Sequence, residues 1–170
     1  AGVQLMVPGE YEQMIFFGRG PEENYQDGNN GTKVGLYRTT VTENFTGYVK
    51  SSETGNRTGV RWIALTDEEG FGLLAAAGGQ PLEVSALHYT PEELDRGVHP
   101  YELEELKDTV LRLNAVQIGV GGDNAWSRIV PHEAYLPHEE RYEYSLVLAA
   151  VDGSEDMMEK SLMMKNRIAR

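Results

Sequence analysis

Short apolar runs that return at brief intervals, each closed by a turn residue, constrain this chain more than any other feature. Residues 3–7 run into Pro8-Gly9, and residues 12–17 are stopped by Gly18-Arg19-Gly20-Pro21. Past a loop rich in Gly, Asn and Asp come further runs at 34–41, 45–49, 60–66 and 71–77. Residues 82–89, 109–120 and 141–151 complete the series, and 82–89 alternates apolar and polar residues with the period of a half-buried strand. Many short strands with turn signals between them predict an all-β fold, a sandwich or barrel.

Two stretches interrupt the pattern. Thr90-Pro91-Glu92-Glu93 combines a threonine cap, proline at the first helical position and glutamate three residues after the cap. It predicts one short helix ending near Gly97. Residues 152–170 begin with acids, end with bases and carry Met158, Leu162 and Met164, which predicts a helix aligned with its own dipole. The expected division is therefore a β-sandwich domain over 1–151 and a helical tail over 152–170.

A chain of 170 residues is ordinarily one domain with a real core. Its formal charge of −12 repels nucleic acid and anionic membrane, so neither is an expected partner. The tail holds four acids and four bases, which places the whole deficit in residues 1–150. With no cysteine there is no disulfide, thiolate metal site or cysteine nucleophile. Cysteine content leaves the compartment open, with the cytoplasm favoured over the periplasm. The Ala1-Gly2 start, in place of methionine, leads us to expect a fragment or processed product.

Gly119-Val120-Gly121-Gly122-Asp123-Asn124-Ala125-Trp126-Ser127-Arg128 is the best candidate binding element. Its glycines permit a tight turn and close backbone approach, and the run ends by presenting an indole. On residues alone Trp126 is either a ligand platform or a loop anchor. Elsewhere the adjacent acid pairs, such as Glu22-Glu23 and Glu104-Glu105, read as solvated surface, because neighbours on a strand point to opposite faces. His88, His99, His132 and His138 have no metal-ligand spacing and read as structural, with His88 the outsider for a site role. The Asn-x-Thr triplets at Asn30, Asn44 and Asn56 are discounted as chance. Residues alone supply no catalytic set.

Several segments in order resemble the C-terminal, small-chain domain of glycoside hydrolase family 2 β-galactosidases of the lactose-operon type. They are Phe16-Phe17-Gly18-Arg19-Gly20-Pro21-Glu22-Glu23-Asn24-Tyr25, Val34-Gly35-Leu36-Tyr37-Arg38, Tyr48-Val49 and Gly55-Asn56-Arg57-Thr58. Val60-Arg61-Trp62, Ser85-Ala86-Leu87-His88-Tyr89 and the glycine-rich stretch complete the set. The resemblance implies part of an antiparallel β-sandwich of the galactose-mutarotase-like type. It implies that Trp126 reaches the active site of an adjacent catalytic barrel as an aromatic platform for a β-galactoside, with Asp123 and Asn124 shaping the loop or meeting hydroxyls. It also puts the nucleophile, the acid/base and the Mg²⁺ and Na⁺ of the parent enzyme in the barrel. No cofactor is expected in this chain, and the isolated chain is expected to be inactive. A homo-oligomeric parent is expected. The alternatives are a free-standing carbohydrate-binding module and, on fold analogy alone, a mutarotase-like epimerase. Ala125, where a serine is usual, and the tail after Val151 depart from the family.

Overall fold

The computed structural model describes residues 1–120 and 141–168. Among these residues nine strands and two α-helices follow one another as β1 (Gly2–Val7), β2 (Gln13–Gly20), β3 (Lys33–Thr40), β4 (Arg57–Val60), β5 (Trp62–Thr66), β6 (Gly72–Ala77), β7 (Leu82–Leu87), α1 (Pro91–Leu94), β8 (Thr109–Asn114), β9 (Leu146–Val151) and α2 (Met157–Ile168). They form two antiparallel sheets, ordered β1-β8-β7-β4 and β3-β2-β5-β6-β9. The fold is an all-β sandwich, as the turn-punctuated sequence predicts.

The core between the sheets follows from strand alternation. Met14 and Phe16 of β2, Ile63 and Leu65 of β5, Val84 and Ala86 of β7, and Leu111 and Leu113 of β8 all point into it and are buried. Their alternate neighbours behave differently on the two sheets. On the five-stranded sheet the outward residues Ile15, Trp62, Ala64, Leu74 and Ala76 are also apolar, and α2 covers them through Met157, Met158 and Met164. The indole N–H of Trp62 lies 3.4 Å from the Met158 sulfur. That second cover is why β5 is buried along its whole length. The tail after Val151 thus packs on the sandwich itself.

Several expectations need correction, among them the runs at 109–120 and 141–151, of which only Thr109–Asn114 and Leu146–Val151 are strand. Residues 45–49 form no strand: the Phe45 ring packs on Tyr89 at 4.8 Å, the Tyr48 hydroxyl donates to Glu23, and Val49 faces solvent. The run at 60–66 is not one strand. Val60 ends β4 in one sheet and Trp62 begins β5 in the other, with Arg61 bridging by N–H to Phe17 (2.8 Å) and carbonyl to Ala77 (2.9 Å). Finally, β7 alternates as read but is buried on both faces, because loops roof its polar side. The end helices are shorter than expected: α1 stops at Leu94, although Thr90 caps it by accepting from the Glu93 N–H at 3.1 Å, and α2 begins at Met157.

Candidate functional site

Outward from β7 and β8 point Glu83, Ser85, Arg112 and Asn114, paired across the ladder as Glu83 with Asn114 and Ser85 with Arg112. A polar face of this kind is ordinarily left to water. Here two loops, residues 20–31 and 44–56, bring their own polar groups onto it, so Glu83 and Ser85 are almost wholly buried. Burial demands partners. Arg112 makes a forked contact to the Glu53 carboxylate and gives its Nε to Ser85 at 2.8 Å. Glu83 accepts from Gln26 at 2.5 Å, from Asn56 at 3.2 Å and from the Gln117 backbone N–H. Burial raises the Glu83 pKa, and those three donors offset part of the rise.

The two roof loops are fastened to each other by the motifs that carry the family resemblance. Glu23 accepts from Thr54 at 3.0 Å, from the Gly55 N–H at 2.6 Å and from Tyr48. The bond to Glu23, with partial burial, pushes the Tyr48 phenol up to about 12. Asn24 uses its whole amide. Its Nδ2 donates to the Arg19 and Glu22 carbonyls at 3.0 and 2.9 Å, and its Oδ1 accepts from the Thr58 N–H at 3.0 Å and the Thr58 hydroxyl at 2.5 Å. Its backbone N–H bonds the Asn56 carbonyl at 2.8 Å, and Asn56 Nδ2 returns the bond to the Asn24 carbonyl at 2.9 Å. Gly55, at φ 75°, turns the chain into this clamp in a conformation that side chains resist. Arg57 is buried beside it with its guanidinium 5.6 Å from the Phe16 ring centroid, and burial lowers its pKa to about 10 despite the nearby Glu23.

This roof is where the glycine-rich stretch departs. Gly119 lies against Asp27 so closely that a Cβ there would come within 2.5 Å of the Asp27 carboxyl carbon, so a larger residue would have to push the Asp27 side chain aside. Asp123, Asn124 and Trp126 lie outside the described residues. Sequence reasoning singled out the glycine-rich stretch but missed Glu83, Arg112 and Glu53. The available signal was the spacing of Glu83 with Ser85 and of Arg112 with Asn114, polar positions alternating with core residues on two strands. Chemically the roof is a rigid mount. Glu23, Glu53 and Glu83 are each occupied by internal donors, and among the described residues no three His, Asp or Glu side chains group as metal ligands.

His88 is a brace. Its Nε2 meets Glu12 at 2.9 Å and its Nδ1 meets the Asp108 carbonyl at 3.3 Å, joining the end of β7 to the starts of β2 and β8. Glu12 also accepts the Thr42 N–H at 2.8 Å. Burial opposes the Glu12 charge, but the bonds from Thr42 and His88 outweigh it and hold the pKa below its usual 4.5. A carboxyl group with a depressed folded pKa stabilises the fold above its unfolded value and loses that contribution as pH falls through the folded value. In thermal unfolding between pH 7 and 3, Glu12→Gln is thus expected to be less stable than the parent sequence near neutrality. Its deficit should shrink below pH 4.5; a deficit constant with pH would rule out this ionic contribution.

On the opposite face, α2 leaves a groove of about 680 Å³ whose floor includes Ile15, Leu36 and Trp62 and whose rim includes Glu69 and Asp156. Three of its acids are engaged locally: Asp67 accepts from the Glu69 and Phe71 N–H groups at 2.9 Å, Asp156 accepts from the Glu159 N–H at 3.0 Å, and Glu155 binds Lys160. No helix among the described residues is long and apolar enough to cross a membrane.

Comparison with known proteins matches residues 1–148 to the family described as beta galactosidase small chain. The chain is 36% identical over 142 residues to a β-galactosidase of Halalkalibacterium halodurans, covering 84% of this chain and 14% of that protein. It is 37% identical over 141 residues to the β-galactosidase BgaC of Bifidobacterium adolescentis, covering 82% and 13%. With a β-galactosidase of Lactobacillus delbrueckii subsp. bulgaricus it shares 38% over 147 residues, covering 86% and 14%. The chain thus spans only a small part of the length of these relatives.

Proposed function

The chain belongs to the β-galactosidase small-chain family, and from that premise we propose that it is a non-catalytic portion of a β-galactosidase acting on terminal β-D-galactosides such as lactose. In this reading Trp126 serves as an aromatic platform for substrate at the active site of a separate catalytic barrel. The observation that carries the reading is the extent of the family match, which runs through the whole glycine-rich stretch and ends only at residue 148.

The physical chemistry supports the same division of labour. Retaining glycoside hydrolysis needs two carboxyl groups about 5 Å apart across the scissile bond. The carboxylates of the roof are tied to internal donors, so we assign the nucleophile and acid/base to the barrel, along with its Mg²⁺ and Na⁺. The isolated chain is expected to hydrolyse nothing. A sugar ring presents a face of C–H bonds that packs on an indole, and burial of that face contributes about 25 cal/mol per Å². Asp123 and Asn124 are assigned to the loop's shape or to sugar hydroxyls. The roof supports this scheme by giving the loop a fixed point of departure at Gly119.

In the intact enzyme, Trp126→Ala is expected to raise KM for lactose about tenfold, the effect of roughly 1.4 kcal/mol of lost contact, with a smaller change in kcat. A KM equal to that of the unmodified enzyme would overturn the platform assignment.

A further inference from the structure

Three large side chains stand together in solvent at one corner of the roof. Val49 is 82% exposed, Tyr101 83% and Tyr48 46%. Single exposed apolar residues are ordinary, but a cluster on a rigid frame is not. The frame here is stiff. The Ser51 N–H bonds the Val98 carbonyl at 2.7 Å, and His99 Nδ1 meets the Val49 carbonyl at 2.8 Å, so two rungs lock residues 49–51 to 98–99. His99 stacks on the Tyr101 ring at 5.4 Å and 12°, and its own N–H is capped by Glu102 at 3.0 Å. Tyr48 is held from behind by Glu23. Side chains held outward on such a frame lose little freedom when something covers them.

We infer that Tyr48, Val49, His99 and Tyr101 form the surface on which the remainder of the parent β-galactosidase docks, an inference that rests on reading the chain as a portion of a larger enzyme. Two observations select this occupant. The patch lies within residues 1–148, the part matched to the family, whereas the exposed Leu162 and Met163 of α2 lie beyond it. A cover common to whole β-galactosidases therefore falls within 1–148, where Val49 and Tyr101 are the most exposed of the large apolar side chains among the described residues. The matched residues also amount to 14% of such a relative, so most of the parent lies outside this chain and must meet it somewhere. Exposed Glu102, Glu104 and Glu105 outnumber the exposed Lys50 beside the patch, so the opposing surface is apolar with mainly basic side chains at its rim. Because residues 44–56 also roof Glu83, docking here would fasten the mount of the glycine-rich stretch from outside.

Hydroxyl-radical footprinting of the 170-residue chain and of the intact parent enzyme tests this. Tyr101 and Tyr48 should react at least tenfold more slowly in the parent; equal reactivity would overturn the docking surface. Val49→Asp combined with Tyr101→Asp should change the thermal midpoint of the isolated chain little, since both sites face water there and only the exposed His99–Tyr101 stack is lost. In the parent the same pair should shorten the half-life of activity on heating at least tenfold, and an unchanged half-life would also overturn the proposal. Trp126→Ala reports separately. A normal KM with Tyr101 protected sinks the platform alone, and a raised KM with Tyr101 fully reactive sinks the docking surface alone.

Discussion

Trp62→Ala is expected to lower the free energy of unfolding by about 3–5 kcal/mol and to release the C-terminal helix. Trp62 is 2% exposed and occupies the outer face of β5, where it packs with Ile15, Ala64, Leu74 and Ala76 beneath α2. The cost has two parts. Removing the indole leaves a cavity that a β-strand lined by alanines cannot close by collapse. It also removes the largest side chain that α2 packs against. A helix of 12 residues has little stability of its own in water, so α2 should unwind once its seat is gone. Urea unfolding gives the first number, and amide hydrogen exchange over residues 157–168 gives the second. Trp62→Phe keeps an aromatic ring on the outer face of β5 but loses the second ring and the N–H facing Met158, so it should cost clearly less than the alanine variant. A loss below about 1 kcal/mol for the alanine variant, or α2 still protected, would mean that the helix is held by something other than this face.

The same residue shows what could be read from sequence and what could not. Acids at the start and bases at the end of the tail are local features, and they announce a helix. Its landing place is not local, yet a hint was present. In residues 62–66 the outward positions Trp62 and Ala64 are as apolar as the inward Ile63 and Leu65, and a strand apolar on both faces needs two covers. β7 carried the opposite message, since its Glu83 and Ser85 announce a wet face. That face is dry because its partners come from far along the chain, Asn56 at a separation of 27 residues and Gln26 at 57. No window of periodicity spans such distances. Residues 45–49 misled for a related reason: their apolar side chains serve a loop that is fixed by Glu23, not by a neighbouring strand. At the candidate site, motif resemblance pointed to Trp126, Asp123 and Asn124, which lie outside the described residues. The approach of Asp27 to Gly119, by contrast, is a tertiary contact between segments that nothing in the sequence pairs.

Asn24→Ala should be comparably damaging although it deletes only an amide. Asn24 is 3% exposed, and its side chain serves two carbonyls on one side and both polar groups of Thr58 on the other. Each lost bond is worth about 1 kcal/mol, and a buried group left without a partner costs about 1–3 kcal/mol, so a total of at least about 3 kcal/mol is expected. Asn24→Asp separates the two sides. It keeps the acceptor for Thr58, removes the donors to Arg19 and Glu22, and places a charge where water is excluded, so it should be no better than alanine. In hydrogen exchange the Gly55 and Thr58 amides, which bond Glu23 and Asn24, should lose protection before the amides of β5 and β6. A stability loss under about 1 kcal/mol would show that the two loops hold each other without this clamp. The roof also mounts the glycine-rich stretch, so the variant carries a second expectation in the intact enzyme. Its KM for lactose should rise toward that of Trp126→Ala at temperatures where the enzyme is still folded, because a platform on a loosened mount is displaced even when its indole is intact.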